Sequence, residues 1–145
     1  MRFPEGLLIA PTPFGAKLTA EAVATAIGRG VSAAGMVADL CPVAAPDDLD
    51  GDFDRRMRDA LAVVTGERRL DQSSLAGKLI SEVATRARQA GVPCHAIVGR
   101  RRLDSFGARV LDLQAILEAS TLDELEAAGR RLAELIAAGS AGRGV

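Results

Sequence analysis

The sequence contains no tryptophan, no tyrosine and only four phenylalanines. It therefore offers few aromatic side chains of the kind on which proteins stack the bases of single-stranded nucleic acid. Its 18 lysines and arginines are balanced by 19 aspartates and glutamates, so no overall positive field attracts nucleic acid or anionic lipid. We expect neither a nucleic acid nor a membrane surface as a partner.

Cysteine and histidine are equally scarce. Cys41 and Cys94 lack the paired spacings of a disulfide framework or a metal site, and we interpret both as buried small apolar residues. His95 is the only histidine, and it cannot easily share a metal with Cys94 because adjacent residues of a strand point to opposite faces. The sequence therefore predicts no metal site.

Long apolar runs are also missing. No run approaches the roughly 20 residues that a helix needs to cross a bilayer. Pro4 and Glu5 stand where a signal peptide would begin its apolar stretch. These two absences favour a cytoplasmic protein.

What the sequence does contain is an alternation of short apolar runs and longer amphipathic segments. Its 145 residues, 48% of them hydrophobic, suffice for one core. Strands are predicted at residues 7–10, 36–41, 61–64, 94–98 and 110–113. Helices are predicted at residues 20–34, 53–59, 73–90 and 122–138, with a frayed tail at 140–145. This order predicts an α/β fold, a Rossmann-like three-layer domain with a mostly parallel sheet of about five strands.

In such a sheet, function is expected beyond the carboxyl ends of the strands, at residues 11–17, 42–54, 65–74 and 99–106. Gly77 and Lys78 lack the earlier glycine and the following hydroxyl residue of a phosphate-binding P-loop. No Gly-x-Gly-x-x-Gly follows either of the first two strands. The two common nucleotide-binding patterns are therefore absent.

Residues 48–54 place aspartates at alternate positions around Gly51, as an oxygen-ligand calcium loop does. Gly51, however, falls at the fourth position of such a loop, Phe53 takes the sixth, where the turn glycine belongs, and Asp59 stands at the twelfth, where a longer glutamate normally binds the ion. We interpret the segment as a solvated acidic loop and leave open whether it binds a cation.

The richest cluster of functional groups is residues 65–74, where the third predicted strand leads into a helix. The carboxylates of Glu67 and Asp71 lie there beside two guanidinium groups and several hydroxyls. Such a set can bind an anion or a metal-bound phosphate and place a proton acceptor. Equally, Arg69 and Asp71 can form a local ion pair while Asp71 or a serine caps the helix.

Lys78 also has two interpretations. In the predicted helix it stands four residues before Glu82, which stands four before Arg86, and this spacing favours a solvated row of ion pairs. The alternative is a lysine that faces a ligand.

Residues 63–78 read Val-Val-Thr-Gly-Glu-Arg-Arg-Leu-Asp-Gln-Ser-Ser-Leu-Ala-Gly-Lys. They resemble the signature Val-Thr-Gly-Glu-Gly-Arg-Leu-Asp-x-Gln-Ser/Thr-Leu-x-Gly-Lys of the bacterial-type glycerate kinase family. Residues 90–99 and the helix that begins at Thr121 are similar to the closing segment of that family. Residues 8–30 resemble its opening segment, which usually contains Ile-Ala-Pro-Asp-Ser-Phe-Lys-Gly-Ser-Leu.

The resemblance implies a single glycerate-kinase-like α/β domain over residues 1–139. It would consist of a first segment (1–43), a short connector (44–60) and a second segment (61–139). The family's middle region, a second domain that forms the other wall of its cleft, is absent between them. Because loss of a domain uncovers apolar surface, we expect a homo-oligomer.

Members of this family transfer a phosphoryl group from ATP to glycerate with Mg²⁺. The chain departs from the family at three positions: Thr12 replaces Asp, Gly15 replaces Lys, and Arg68 replaces Gly. Lys17 is the nearest lysine to the position that Gly15 occupies, and the glycine-rich loop after Pro42 is lost. These departures imply weak or absent kinase activity.

The main hypothesis is a pared-down glycerate-kinase-like protein that binds a small anion or phosphate-bearing ligand. One alternative is an active kinase, using ATP and Mg²⁺, that another subunit or chain completes; another is a non-enzymatic scaffold or interaction domain. Glu67 and Asp71 are the candidate catalytic residues. The candidate ligand-binding residues are Thr65, Gly66, Arg68, Arg69, Ser73, Ser74, Lys78 and Lys17.

Overall fold

A computed structural model describes residues 6–143, and the side chains of residues 6–139. Strands and helices alternate along these residues. The strands are β1 (Gly6–Pro11), β2 (Val37–Leu40), β3 (Ala62–Leu70), β4 (Cys94–Arg101) and β5 (Leu113–Glu118). The helices are α1 (Ala20–Ala33), α2 (Gly51–Arg58), α3 (Leu79–Ala90), α4 (Ser105–Val110) and α5 (Leu122–Arg143).

The five strands form one parallel sheet in the order β2-β1-β3-β4-β5. The chain therefore passes from β1 to β2 on one side and returns to β3 on the other side of β1. This reversal of direction between β1 and β3 is a topological switch point, where open parallel sheets place their ligands. The predicted α/β fold with a parallel sheet of about five strands is confirmed.

Helices cover both faces of the sheet, and β1 shows how the sequence divides its side chains between them. Leu8 packs in the core that includes Phe53 of α2 and Ile80 of α3. Ile9, the next residue, packs in the opposite core with Ile27 of α1 and residues of α5. Consecutive strand residues point to opposite faces, so a run of apolar residues is what a strand covered on both faces requires.

The two helices α1 and α5 pack closely through glycine. A Cβ atom at Gly30 would lie 1.8 Å from the backbone oxygen of Glu126, and one at Gly129 would lie 2.3 Å from that of Ile27. No side chain fits at either position without moving a backbone. The absence of side chains there sets the distance between the two helices.

Strand β3 is longer than the sequence predicts. The predicted strand ends at Val64, because the charged residues that follow interrupt the apolar run, whereas the observed strand continues to Leu70. β1 pairs with β3 only as far as Gly66, but β4 continues beside it until Leu70 lies opposite Arg101. Residues 67–70 and 98–101 thus form a two-stranded arm that extends beyond β1. Hydrogen bonds to β4 keep residues 67–70 extended, although their side chains do not form an apolar run.

The helix after β3 begins later than predicted. A single 3-10 turn, Gln72–Leu75, follows the strand, and α3 starts only at Leu79. Gly77 has φ +76°, a left-handed conformation that interrupts a helix and that glycine adopts without strain. The segment predicted as the first turns of a helix is therefore a folded loop.

The last third of the chain differs from the prediction in two places. Residues predicted as the fifth strand belong partly to α4, which Asp104 caps through the amide of Gly107, and β5 follows it. The last helix opens as predicted, with reciprocal bonds between Thr121 and Glu124, but it passes Gly139 and continues to Arg143. Residues 144 and 145 of the predicted frayed tail lie outside the described residues.

The acidic segment before α2 is used for local structure. Asp48 accepts hydrogen bonds from the amides of Ala44 and Ala45, and Asp50 caps α2 through the amide of Phe53.

Within residues 6–143, no group of three or more His, Cys, Asp or Glu side chains is placed to hold a metal ion. In the same range, no helix combines the length and apolar character that crossing a membrane requires.

The two cysteines and the histidine are buried, as predicted for the cysteines. Burial raises the pKa of Cys94 to about 12, so its thiol stays protonated. The Nδ1 atom of His95 accepts a hydrogen bond from the amide of Ala115, and burial lowers the pKa of this ring. His95 is therefore a neutral residue of the sheet interior.

Candidate functional site

The candidate site lies at the switch point, where β1 ends and β3 continues. Thr12, directly after β1, donates from both its amide and its hydroxyl to the carbonyl oxygen of Gly66, at 2.8 and 2.7 Å. In the other direction, the Thr65 hydroxyl donates to the carbonyl oxygen of Ala10 at 2.8 Å. These bonds hold the loop after β1 against β3.

Two of the predicted binding residues therefore serve the sheet. The hydroxyl of Thr65 is wholly buried and already bonded. At Gly66, a Cβ atom would lie 2.4 Å from the backbone oxygen of Ile97, so this position admits only glycine. Neither residue lines a groove; both fix the position of the residues that follow.

The structure brings most of the remaining candidates together in one groove of about 400 Å³, which we call the narrow groove. It lies between the loop after β1 and the segment from β3 to α3. Its lining residues are Thr12, Pro13, Gly15, Glu67, Arg68, Arg69, Asp71, Ser73, Lys78 and Leu79.

Glu67 is the half-buried carboxylate of the narrow groove. Its Oε2 atom accepts a hydrogen bond from the hydroxyl of Ser74 at 2.9 Å. Burial raises the pKa of Glu67, while the bond from Ser74 and the positive charge of Lys78 oppose that shift. A carboxyl with a raised pKa that faces a groove has the character of a proton acceptor in catalysis.

Asp71 organises the turn after β3. Its Oδ1 atom accepts from the amide and the hydroxyl of Ser73, at 2.9 and 2.5 Å, and its own amide donates to the Ser74 hydroxyl at 3.1 Å. Its Oδ2 atom lies 3.0 Å from Nε of Arg69. The bonds from Ser73 and the charge of Arg69 lower the pKa of Asp71, so this carboxylate is ionised and engaged. Ser74 itself is wholly buried and does not line the groove.

Lys78 faces the narrow groove from the start of α3. It is the residue before the first turn of that helix, and its amide donates to the Ser81 hydroxyl at 3.1 Å. The predicted row of ion pairs along the helix is wrong, because Arg86 forms its ion pair with Asp54 of α2, at 2.9 Å. Lys78 is part of the lining of the narrow groove, and its contact with a ligand stays a prediction.

A second and larger groove, of about 840 Å³, opens on the other side of Arg68 and Arg69, and we call it the wide groove. Lys17 lies here and not in the narrow groove. The wide groove is lined by Phe14, Gly15, Ala16, Lys17, Leu18, Arg68, Arg69, Gly99, Arg100, Ser120, Thr121 and Leu122.

Arg68 lies across Gly15, and both residues line both grooves. A Cβ atom at Gly15 would lie 2.9 Å from Cδ and 3.3 Å from Nε of Arg68, and Gly15 has φ +68°. The glycine in the loop thus makes room for the arginine of the strand. Two of the three positions at which the chain departs from the family, Gly15 and Arg68, are in contact.

Arg100 is a site residue that the sequence analysis did not select. It belongs to β4 and lies opposite Arg69 in the sheet. Residues 99–106 were expected to lie at the functional edge, so its position after Gly99 was the available signal. No motif distinguishes it there from Arg101 and Arg102.

The fold and site define an α/β protein with two charged grooves at the switch point of a parallel sheet. Within that class, the chain belongs to the glycerate kinase family: the model described as "Glycerate kinase family" matches residues 50–141. The match includes the whole segment from β3 to α3 that forms the narrow groove.

Among curated proteins, the chain is similar to uncharacterized proteins of Mycobacterium bovis and Mycobacterium tuberculosis. Each is 34% identical over 90 residues, which is 62% of this chain and 21% of the relative. The chain thus spans about a fifth of the length of the curated relatives it matches.

Solved structures show the same fold at low identity. A flavodoxin from the domain Archaea is 12% identical, with a TM-score of 0.56 over 91% of this chain and 99% of that chain. A diflavin flavoprotein A3 from Nostoc sp. is 14% identical, with a TM-score of 0.55 over 99% of both chains. The strand order 2-1-3-4-5 is that of flavodoxin-like sheets.

Proposed function

We propose that this chain binds a small anionic hydroxy acid, such as glycerate, or its phosphorylated form, in the narrow groove, with weak or no kinase turnover of its own. One observation carries the proposal: the half-buried Glu67 carboxylate shares the narrow groove with Arg68, Arg69 and Lys78. The cations suit a carboxylate or phosphate group, and the carboxylate suits a hydroxyl.

Each side chain has a distinct role in this proposal. Lys78 and Arg68 contact the anionic group of the ligand: neither forms a salt bridge among residues 6–143, although the charge of Lys78 acts on Glu67. Arg69 contributes less charge, because Asp71 lies 3.0 Å from it. Glu67 accepts the hydrogen of the ligand hydroxyl, and the bond from Ser74 orients its carboxylate toward that position. Asp71, engaged by Ser73 and Arg69, is in this proposal a positioning residue.

Kinase activity requires ATP with Mg²⁺, which supplies the phosphoryl group and neutralises its charge. Glu67 and Asp71 fit the one or two carboxylates that Mg²⁺ usually takes from a protein, and the cations fit its phosphates. Thr12, however, gives its hydroxyl to Gly66 where the family has an aspartate, and Gly15 offers no charge where the family has a lysine. These two departures support weak or absent turnover.

A second candidate is an active kinase that another subunit or chain completes. The observation in its favour is that Glu67, Arg69, Asp71 and Lys78, all retained from the signature, line one groove. The walls of that groove come only from the loop after β1 and the segment from β3 to α3. A partner that covers the groove would exclude water from the reaction.

Calorimetric titration with glycerate, 3-phosphoglycerate and phosphate tests the binding proposal. We expect saturable binding by the wild type, and a loss of about tenfold in affinity for Lys78→Gln, which removes one charge-assisted contact. Arg131→Gln, which removes an exposed arginine of α5, is the matched control. No saturable heat with any of the three ligands would overturn the proposal.

Arg69→Ala separates ligand binding from a purely structural role. If Arg69 contacts the ligand, the variant binds glycerate or phosphate more weakly. If its pair with Asp71 only braces the turn, the variant melts at a lower temperature and its affinity for the ligand is unchanged.

Release of ADP in the presence of glycerate, ATP and Mg²⁺ measures kinase activity, and turnover within the common enzyme range of about 1 to 1,000 per second would favour the active kinase.

A further inference from the structure

The wide groove differs from the narrow groove in its charge. Its lining contains four cations, Lys17, Arg68, Arg69 and Arg100, and no aspartate or glutamate among the described residues. Lys17, Arg68 and Arg100 have no acidic partner within residues 6–143. These three cations give the wide groove positive charge that no ion pair within the described residues neutralises, whereas Arg69 is paired with Asp71 at 3.0 Å.

The sheet itself brings two of these charges together. Arg69 of β3 and Arg100 of β4 are direct neighbours in the register of the two strands. Like charges directly opposite each other on neighbouring strands repel and destabilise the pairing. A bound counter-charge offsets this repulsion. Arg68, adjacent to Arg69 along β3, adds a third positive charge at the same place. This arrangement is relieved by an anion in the groove.

The first turn of α5 does not supply the attraction. Glu124 accepts hydrogen bonds from the amides of Ser120 and Thr121, at 3.0 and 3.2 Å. These two amides, directly before α5, are thus already used, and by a negative side chain. The side-chain cations are what would draw an anion here.

The size and surface of the wide groove indicate the class of anion. Its volume of about 840 Å³ falls in the range of small-molecule sites and exceeds what a single phosphate fills. The only aromatic residue in its lining, Phe14, is 5% exposed, and the lining contains no asparagine or glutamine that could read the edge of a base. The groove offers charge along its length without a platform for a nucleobase.

We propose that the wide groove binds a condensed phosphate, a chain of two or three linked phosphates, mainly through Lys17, Arg68 and Arg100 and without requiring a nucleoside. Lys17 and Arg100 lie outside the narrow groove, and Lys78 lies outside the wide groove. Binding in the wide groove is therefore separable from the proposed function of the narrow groove.

The test is calorimetric titration of the full chain, at low ionic strength, with inorganic triphosphate, ATP and inorganic phosphate. We expect triphosphate to bind with an affinity similar to that of ATP, and single phosphate to bind more weakly at this groove. Lys17→Gln and Arg100→Gln should each weaken triphosphate binding by about tenfold. Arg131→Gln should leave triphosphate binding unchanged.

Three results would overturn the inference: no saturable heat with triphosphate, binding of ATP much tighter than of triphosphate, or an equal loss in Arg131→Gln. An equal loss in Arg131→Gln would show that the overall charge of the protein alone attracts triphosphate. Lys17 and Arg100 come from different parts of the chain, and both are exposed. Thermal melting identifies a variant that fails to fold. If one of the two variants fails to fold, triphosphate binding by the other one decides the test.

Discussion

The hydroxyl of Ser74 lies 2.9 Å from Oε2 of Glu67 and, being wholly buried, ties that carboxylate to the turn that follows β3. The same hydroxyl accepts a hydrogen bond from the amide of Asp71 at 3.1 Å. One side chain thus connects the two carboxylates of the narrow groove, which are Glu67 and Asp71.

Ser74→Ala should destabilise the fold by about 1 to 3 kcal/mol, because it leaves the half-buried Asp71 amide and Glu67 carboxylate without their partner. Urea denaturation measures this loss. Ser73→Ala is the matched control: its hydroxyl is exposed, and its removal should cost about 1 kcal/mol or less. Equal losses in the two variants would contradict a special role for the buried hydroxyl.

Glu67→Gln should stabilise the protein at neutral pH. Burial raises the pKa of Glu67 in the folded state, so folding is favoured most when this carboxyl is protonated. Its contribution to stability is complete below the unfolded value of 4.5 and falls as pH rises through the higher folded value. Glutamine keeps an oxygen that accepts from Ser74 and removes the buried charge. The difference in unfolding free energy between variant and wild type should therefore grow from pH 4 to pH 7, and a difference that shrinks would contradict the assigned burial.

His95 should make stability depend on pH in the opposite direction. Burial lowers its pKa in the folded state, so the unfolded chain takes up the proton first as pH falls below 6.5. Stability is thus present above that value and is lost as pH falls toward the folded pKa. His95→Asn, which keeps an oxygen that accepts from Ala115, should flatten the unfolding free energy between pH 5 and 7. An unchanged slope would assign the effect to other groups.

Two glycine variants should change stability with opposite signs. Gly30→Ala places a Cβ atom 1.8 Å from the backbone of α5 and should cost about 1 to 3 kcal/mol or more, because the helices must separate. Gly139→Ala has open space around it within α5 and should add about 0.5 to 1 kcal/mol through helix propensity. Thermal or urea unfolding measures both. Equal effects of the two variants would contradict close packing of α1 on α5.

We expect the chain to self-associate, and β2 is the surface we propose for it. This strand forms one edge of the sheet, and Val37 and Leu40 are 61% and 40% exposed. An exposed apolar edge strand is a template for pairing with a second copy. Light scattering should give a mass above that of one chain, and Val37→Lys should lower it. A monomeric mass at micromolar to millimolar concentrations would contradict this expectation.

The sequence predicted the order of the elements better than their ends. Apolar runs and caps locate Thr19, Thr121 and the first four strands, since local chemistry decides them, whereas α4 and the position of β5 were missed. The continuation of β3 to Leu70 depends on β4 beside it, which no local pattern reveals. For the same reason the motif identified Glu67 and Lys78, while Arg100 became visible only through its neighbour across the sheet.

The arm formed by residues 67–70 and 98–101 has a further consequence for how a ligand could be detected. Its two strands pair with each other but, beyond Gly66 and Val98, with no further strand, so their amides can open to solvent without unfolding the sheet. The arm also carries Arg68 and Arg69, which line both grooves, and Arg100 of the wide groove. Deuterium uptake by these amides should therefore slow when a ligand bridges the arm to the rest of the domain. Uptake by the amides of β1 should stay unchanged. Because Lys78 lines only the narrow groove and Lys17 only the wide groove, isotope exchange in the two lysine variants would report each groove separately.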